Sequence, residues 1–245
     1  MSIKQAVAEQ LAKLPVGQPF DVQSVPLYTQ ARKSVSSALS QLAVDGVVRR
    51  LARDVYYRPE HSRFGPLPPR DSDVMAFALQ QTDGFIVGAA YLNNRGLSTQ
   101  VPTVIEIASS KTRPRVVTYG KLKFNVVRAI CAPVYPGDKR FLQMLHTVDR
   151  LRRLEGADPD HVVVHFVDEI AGLERAQRER LEVLSLQARP GVRALIGAML
   201  EKGAGQSSVR LSQSISAASN YLTPVSIQVL PDMRKWQLRS TRKVV

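Results

Sequence analysis

The sequence predicts an α+β chain in which a small helical module precedes a larger mixed domain, and three observations carry that prediction. Apolar residues recur at helical spacing near the start and again between about residues 138 and 201. Between those stretches lie three short β-rich runs, VPTVIEIAS, RPRVVTY and KLKFNVVR, divided by turn residues as in a small antiparallel sheet. A proline-rich joint, RPEHSRFGPLPPRDSD, separates the module from the rest. Prolines so closely spaced stiffen the chain and exclude helix interior and central strand. At 245 residues the chain suits two domains better than one. The expected division is a module at 1–60, a joint at 61–70 and a mixed domain at 71–245.

Within the module, Ile3, Val7, Leu11 and Leu14 fall on one helical face, and PVGQPFD then ends the helix. Phe20 and Val22 anchor a short element that stops near Pro26. A second main helix is expected from about Thr29 to Asp45. Its apolar residues Val35, Ala38, Leu39 and Leu42 sit at i, i+3, i+4 and i+7, one stripe facing a core. Gly46 closes it in a left-handed conformation. Two short strands follow, VVRRL and DVYYRP, connected around Arg53 and Asp54. Alternation turns Val48, Leu51 and Val55 inward and the arginines outward. Helices followed by a basic hairpin form the layout of a winged helix-turn-helix.

Past the joint, Asp71 or Ser72 caps a helix to about Gln81 with Val74, Ala78 and Leu79 inward, and a second runs from Ile86 to Asn94, ending at Gly96. The three β runs come next. Four helices follow, at about 138–154, 160–173, 175–187 and 190–201. The tail offers one further strand, and Trp236 suggests that part of it docks. Gly96, Ser98, Thr99, Gln100 and Pro102 mark an abrupt helix-to-strand corner, where short polar side chains satisfy backbone groups.

Charge points toward the partner. Lys plus Arg number 34 against 21 Asp plus Glu, a formal net charge of +13, so a polyanion is favoured by long-range attraction. A helix seated in a major groove needs small polar and basic residues opposite its core stripe. Here that face comprises Lys33, Ser36, Ser37 and Ser40, flanked by Arg32, Ser34 and Gln41, with no glutamate among them. The hairpin adds Arg49, Arg50, Arg53 and Arg58. Two more basic stretches stand out: 107–137, which lacks any acid, and the segment after Glu201, where Asp232 is the one acid. They extend a nucleic-acid footprint or are simply solvated.

Catalytic sets are missing. GxxxxGK[ST], GxGxxG and GxSxG do not occur, and His161 with His165 lacks the rest of an HExxH site. The expectation is therefore a non-enzyme with no catalytic, cofactor-binding or metal-binding residues. One cysteine, Cys131, sits among apolar residues and is expected to be buried. Without a signal-peptide pattern or an apolar run of membrane length, the chain is expected to be soluble and cytoplasmic.

One resemblance reaches beyond the generic hairpin. KSVSSALSQLAVDGVVRRLARDVYY, then FGPLPP, GAAYLNNRGLSTQVP and IEIAS, together with KLKF and ARPGVRALIGAMLEKGAG, resemble the AbiEi family of bacterial antitoxins, more narrowly its DUF6088-like members. The resemblance implies a winged helix ahead of an α/β antitoxin domain, and an autorepressor that binds inverted repeats of operator DNA. It also implies counteraction of a nucleotidyltransferase toxin, commonly without a stable complex, the type IV arrangement. DNA contact then falls on Arg32, Lys33, Arg49, Arg50 and Arg53, and toxin-countering on the domain from about Asp71. Family members commonly carry glycine at the wing tip, where this chain has Asp54. The alternative is an interaction protein that sequesters the toxin directly, with the winged helix mainly a scaffold.

Overall fold

The computed structural model describes residues 2–154 and 156–242 and is a mixed α+β structure. Its contacts divide it into two compact units, 1–82 with 116–124, and 83–115 with 125–245.

The first unit opens with α1 (Ile3–Ala12), started by a reciprocal cap in which Ser2 Oγ accepts from the Gln5 amide and Gln5 Oε1 accepts from the Ser2 amide. α1 stops short of Leu14, because Pro15 disfavours the helical region for the residue before it. The strand β1 (Pro19–Asp21) and two 3₁₀ turns lead to α2 (Arg32–Val44). α2 begins three residues later than its apolar spacing suggests. Ala31, at φ −143° and ψ 56°, breaks the run, and 26–29 form a separate turn that starts at Pro26.

Gly46, at φ +77°, ends α2 as expected. The strands β2 (Arg49–Ala52) and β3 (Val55–Tyr57) follow, and β3 pairs antiparallel with both β1 and β2. The register shifts between Arg50 and Ala52, so Leu51 sits in a bulge. Val7, Leu11, Phe20, Val22, Val35, Leu39, Leu42, Val48 and Tyr56 make one buried cluster under α1, α2 and the sheet. Fully burying a side chain such as Leu39 contributes about 2 kcal/mol.

The proline-rich stretch is less bare than expected. β4 (Glu60–Ser62) and β5 (Gly65–Leu67) form a small antiparallel hairpin of their own, which tolerates Pro66 because it has no further strand to pair. α3 (Asp71–Thr82) packs beside β1, so the contact boundary falls after Thr82 and not in the joint. The later segment 116–124 also joins this unit: the Tyr119 ring meets Phe77 edge-on at 5.2 Å, and the Gly120 amide donates to the Leu51 carbonyl at 3.3 Å.

In the second unit, β6 (Phe85–Val87) corrects the sequence expectation, which placed the start of a helix at Ile86. Its β-branched residues pair antiparallel with β7, Ile86 opposite Ile107, and a short apolar run cannot by itself distinguish strand from helix. Gly88, at φ +69°, turns the chain into α4 (Gly88–Asn94); a Cβ there would meet the Glu106 carboxylate. β7 (Val104–Ser109), β8 (Arg115–Tyr119) and β9 (Leu122–Arg128) match the expected strand runs, with β7 between β6 and β9, although β8 from Val116 and the start of β9 count with the first unit.

The helices α5 (Asp138–Asp149), α6 (Pro159–Ala171), α7 (Arg175–Ser185) and α8 (Pro190–Ala204) follow. α8 is the central rod, its run Ala194–Leu200 buried against α5, α6 and α7. A five-residue α9 (Val209–Gln213), too short to leave a periodic signature, precedes the parallel pair β10 (Tyr221–Thr223) and β11 (Leu238–Ser240). Trp236 is buried against Gly197 of α8 and donates to Glu201 at 2.7 Å. Cys131 is half-buried, less enclosed than expected, and burial pushes its thiol pKa up. Among the described residues no helix is long and apolar enough to cross a membrane.

Candidate nucleic-acid interface

α2 turns Val35, Ala38, Leu39 and Leu42 into the core, so its remaining face points to solvent. Arg32, Lys33, Ser34, Ser36, Ser37, Ser40 and Gln41 are all exposed on it. Ala31 supplies no side-chain cap, which leaves the first amides of α2 available to an outside acceptor. The Arg32 guanidinium lies 5.8 Å from the Tyr28 ring centre, steered by that ring toward the start of the helix. Ser40 Oγ donates to the Ser36 carbonyl at 3.0 Å, leaving its lone pairs open. No acidic side chain stands on this face between Arg32 and Gln41.

An open groove of about 390 Å³ runs between α1 and α2, lined by Lys4, Lys33, Ser34, Ser37 and Gln41. Lys4 went unnoticed in the sequence because it lies on the polar side of α1, where nothing distinguishes it from an ordinary solvated lysine. Its ammonium pairs with Asp45 at 2.6 Å, just past the end of α2.

Arg49 and Arg50 are exposed along β2, and the Arg50 Nε donates to the Ala52 carbonyl at 3.2 Å. At the hairpin tip, Asp54 takes the left-handed conformation, φ +60°, that glycine otherwise favours. Its carboxylate sits 3.6 Å from the Arg53 guanidinium, and both side chains are largely exposed. Arg58 is placed differently from its neighbours. Half-buried, it donates from Nη1 to the carbonyls of Ala12 (2.9 Å) and Leu14 (2.6 Å), where a cation satisfies the C-terminal end of α1. Of the two tyrosines beside it, Tyr56 enters the core cluster and stacks on Phe20.

The basic stretch at 107–137 divides. Lys121 pairs with Asp71 at 3.0 Å and Lys111 with Asp83 at 2.6 Å, whereas Lys123 stays exposed. At the corner after α4 Ser98 is buried, its hydroxyl accepting from the Gln100 amide and its carbonyl from Asn93, whereas Gly96, Thr99, Gln100 and Val101 are exposed. Among the described residues no three His, Cys, Asp or Glu side chains gather as metal ligands would.

A family model described as a family of unknown function (DUF6088) matches residues 6–135, more than half of the chain. The protein belongs to the DUF6088 family. The match takes in α2, the β2–β3 hairpin, the corner at Ser98 and the strands as far as β9, and stops before α5. No curated protein matches this DUF6088 chain.

Proposed function

We propose that this DUF6088 protein is a non-catalytic, cytoplasmic DNA-binding autoregulator of the AbiEi antitoxin type. In this reading α1, α2 and the β2–β3 hairpin constitute a winged helix-turn-helix, with α2 seated in the major groove of operator DNA. Arg32 and Lys33 engage phosphates or a guanine edge, the serines let the helix backbone approach closely, and Arg49, Arg50 and Arg53 hold the flanking backbone. The remainder of the chain counteracts a nucleotidyltransferase toxin.

One observation carries the reading: the exposed face of α2 bears cations, hydroxyls and an amide with no carboxylate, next to a hairpin of exposed arginines. A carboxylate there would repel phosphate, and an ordinary solvated helix has no reason to omit it. α2 has 13 residues and is about 20 Å long, with a serine-rich surface slim enough for a major groove about 12 Å wide.

The test is a gel shift on the DNA upstream of the gene, at fixed salt. Arg32→Ala combined with Lys33→Ala abolishes the shift and leaves toxin rescue at least partly intact. Either single variant, losing one phosphate contact, lowers the salt dependence of log K by about 1. Binding as tight as wild type in the double variant overturns the assignment of α2.

A further inference from the structure

The C-terminal segment builds a cleft that the DNA-binding reading does not use. It has a volume of about 630 Å³ and opens beside the parallel pair β10–β11. Arg234, Arg239 and Arg242 line it together with the amides of Asn220, Gln228 and Gln237, and none of its lining side chains is a carboxylate. Arg242 is held from outside the lining by Asp158 and by Asp160 at 2.8 Å, while Asp160 also accepts from the Ser226 amide at 2.7 Å. That bracket fixes one wall. Arg234 and Arg239 are exposed and have no ion pair among the described residues, so the cleft keeps two uncompensated guanidinium groups.

Gln237 adds a separate sign. It takes a left-handed conformation, φ +57° and ψ 22°, unusual for a residue with an unbranched long side chain, and that side chain lines the cleft. Met233 and Leu238, which line the cleft, are buried, and the adjoining Trp236 is buried too and donates to Glu201. A lone inorganic anion would occupy a small part of such a volume, whereas organic ligand sites run to about 300–1,000 Å³. Planar guanidinium forks match phosphate oxygens in pairs. Side-chain amides offer a donor and an acceptor together, which suits the edge of a heterocyclic base.

We propose that this cleft binds a nucleotide, its phosphates on Arg234 and Arg239 and its base against Asn220, Gln228 and Gln237. The full-length protein is titrated with ADP, GDP, CDP and UDP in turn, with pyrophosphate as the control for bare charge. Equilibrium dialysis gives occupancy, and the fluorescence of Trp236, the chain's one tryptophan, reports on the segment 233–239 beside the cleft. At least one nucleoside diphosphate binds saturably, more tightly than pyrophosphate. Arg234→Gln with Arg239→Gln weakens it about tenfold or more, since two charge-assisted contacts are lost. Both side chains are exposed, so the variant keeps the wild-type unfolding midpoint, and its gel shift is unchanged because α2 is untouched. The proposal is overturned if none of the four binds at millimolar concentration, if pyrophosphate binds as tightly, or if the double variant binds as well as wild type.

Discussion

The helix α2 and a set of arginines in the second unit use their cations in opposite ways. In the second unit one set of arginines turns to carboxylates of the same unit: Arg95 to Glu169 at 2.6 Å, Arg180 to Asp138 at 2.7 Å, Arg150 to Glu106, and Arg242 to Asp158 and Asp160. On α2 and β2, Arg32, Lys33 and Arg49 are exposed and have no carboxylate partner among the described residues. Both regions are rich in basic residues. The arginines just named are engaged within their own unit, whereas those of α2 and β2, like Arg234 and Arg239 near the C-terminal end, face solvent without a carboxylate. A count of charges along the chain cannot separate the two uses, because pairing depends on which acids the fold brings near.

The largest effect expected from this contrast lies at Asp138. Its buried carboxylate accepts two bonds from Arg180 and the amides of Val134 and Tyr135, and the Arg180 bonds above all lower its pKa to about 2. Asp138→Ala therefore destabilises the second unit by about 3 kcal/mol in denaturant unfolding, since it strands partners that cannot all reach water. Arg32→Ala, by contrast, shifts stability by less than about 0.5 kcal/mol. Equal losses for the two would dissolve the contrast.

Next in size is an acid limb set by His146. Burial first, then the nearby Arg150, lowers its pKa to about 4, and its neutral Nε2 accepts from the Ile130 amide at 3.2 Å. A depressed pKa means that the unfolded chain takes up a proton first. The stabilisation is complete above pH 6.5 and is lost as the pH falls toward 4, amounting to about 3 kcal/mol. His146→Gln keeps an acceptor for Ile130 but does not titrate, so its stability stays flat across that window. Asp138 has the same sign at lower pH, its contribution disappearing between 3.8 and about 2. A wild-type curve already flat from pH 6.5 to 4 would sink the assignment to His146.

Arg58 sharpens the comparison from inside the N-terminal module, because it behaves like the cations of the second unit. Losing its bonds to Ala12 and Leu14 in Arg58→Ala costs about 1.5 kcal/mol of stability. DNA affinity, measured well below the melting temperature, stays near wild type. A large loss of affinity with unchanged stability would return Arg58 to the binding face.

The smallest effect belongs to Asp54→Gly at the hairpin tip. Glycine takes φ +60° without strain, so stability changes by less than about 0.5 kcal/mol. Removing the carboxylate beside Arg53 strengthens DNA binding by about twofold, most clearly at low salt. Weaker binding would mean that the carboxylate positions Arg53 instead of opposing it.

Much of the α2 face was legible in advance because a 3.6-residue period fixes both faces of a helix at once. Placing Val35, Ala38, Leu39 and Leu42 inside leaves Lys33, Ser36, Ser37 and Ser40 outside. Arg58 was not legible. In sequence it reads as one more arginine of the basic hairpin, and the end of α1 that captures it lies more than forty residues earlier in the chain. The strand at 85–87 was missed for a related reason: three apolar residues fit either period, and pairing with β7 decided between them.

By itself the sequence determined the helices with long apolar stripes, the glycine stops at Gly46 and Gly96, the three strand runs and the cationic, acid-free side of α2. Each of these follows from spacing over a few turns or from one residue's backbone freedom. Tertiary structure decided which cations remain outward, that α3 and the segment 116–124 join the N-terminal unit, that Trp236 packs on Gly197, and that three arginines line one cleft. Those outcomes depend on contacts between residues far apart in the chain, and local periodicity carries no information about them.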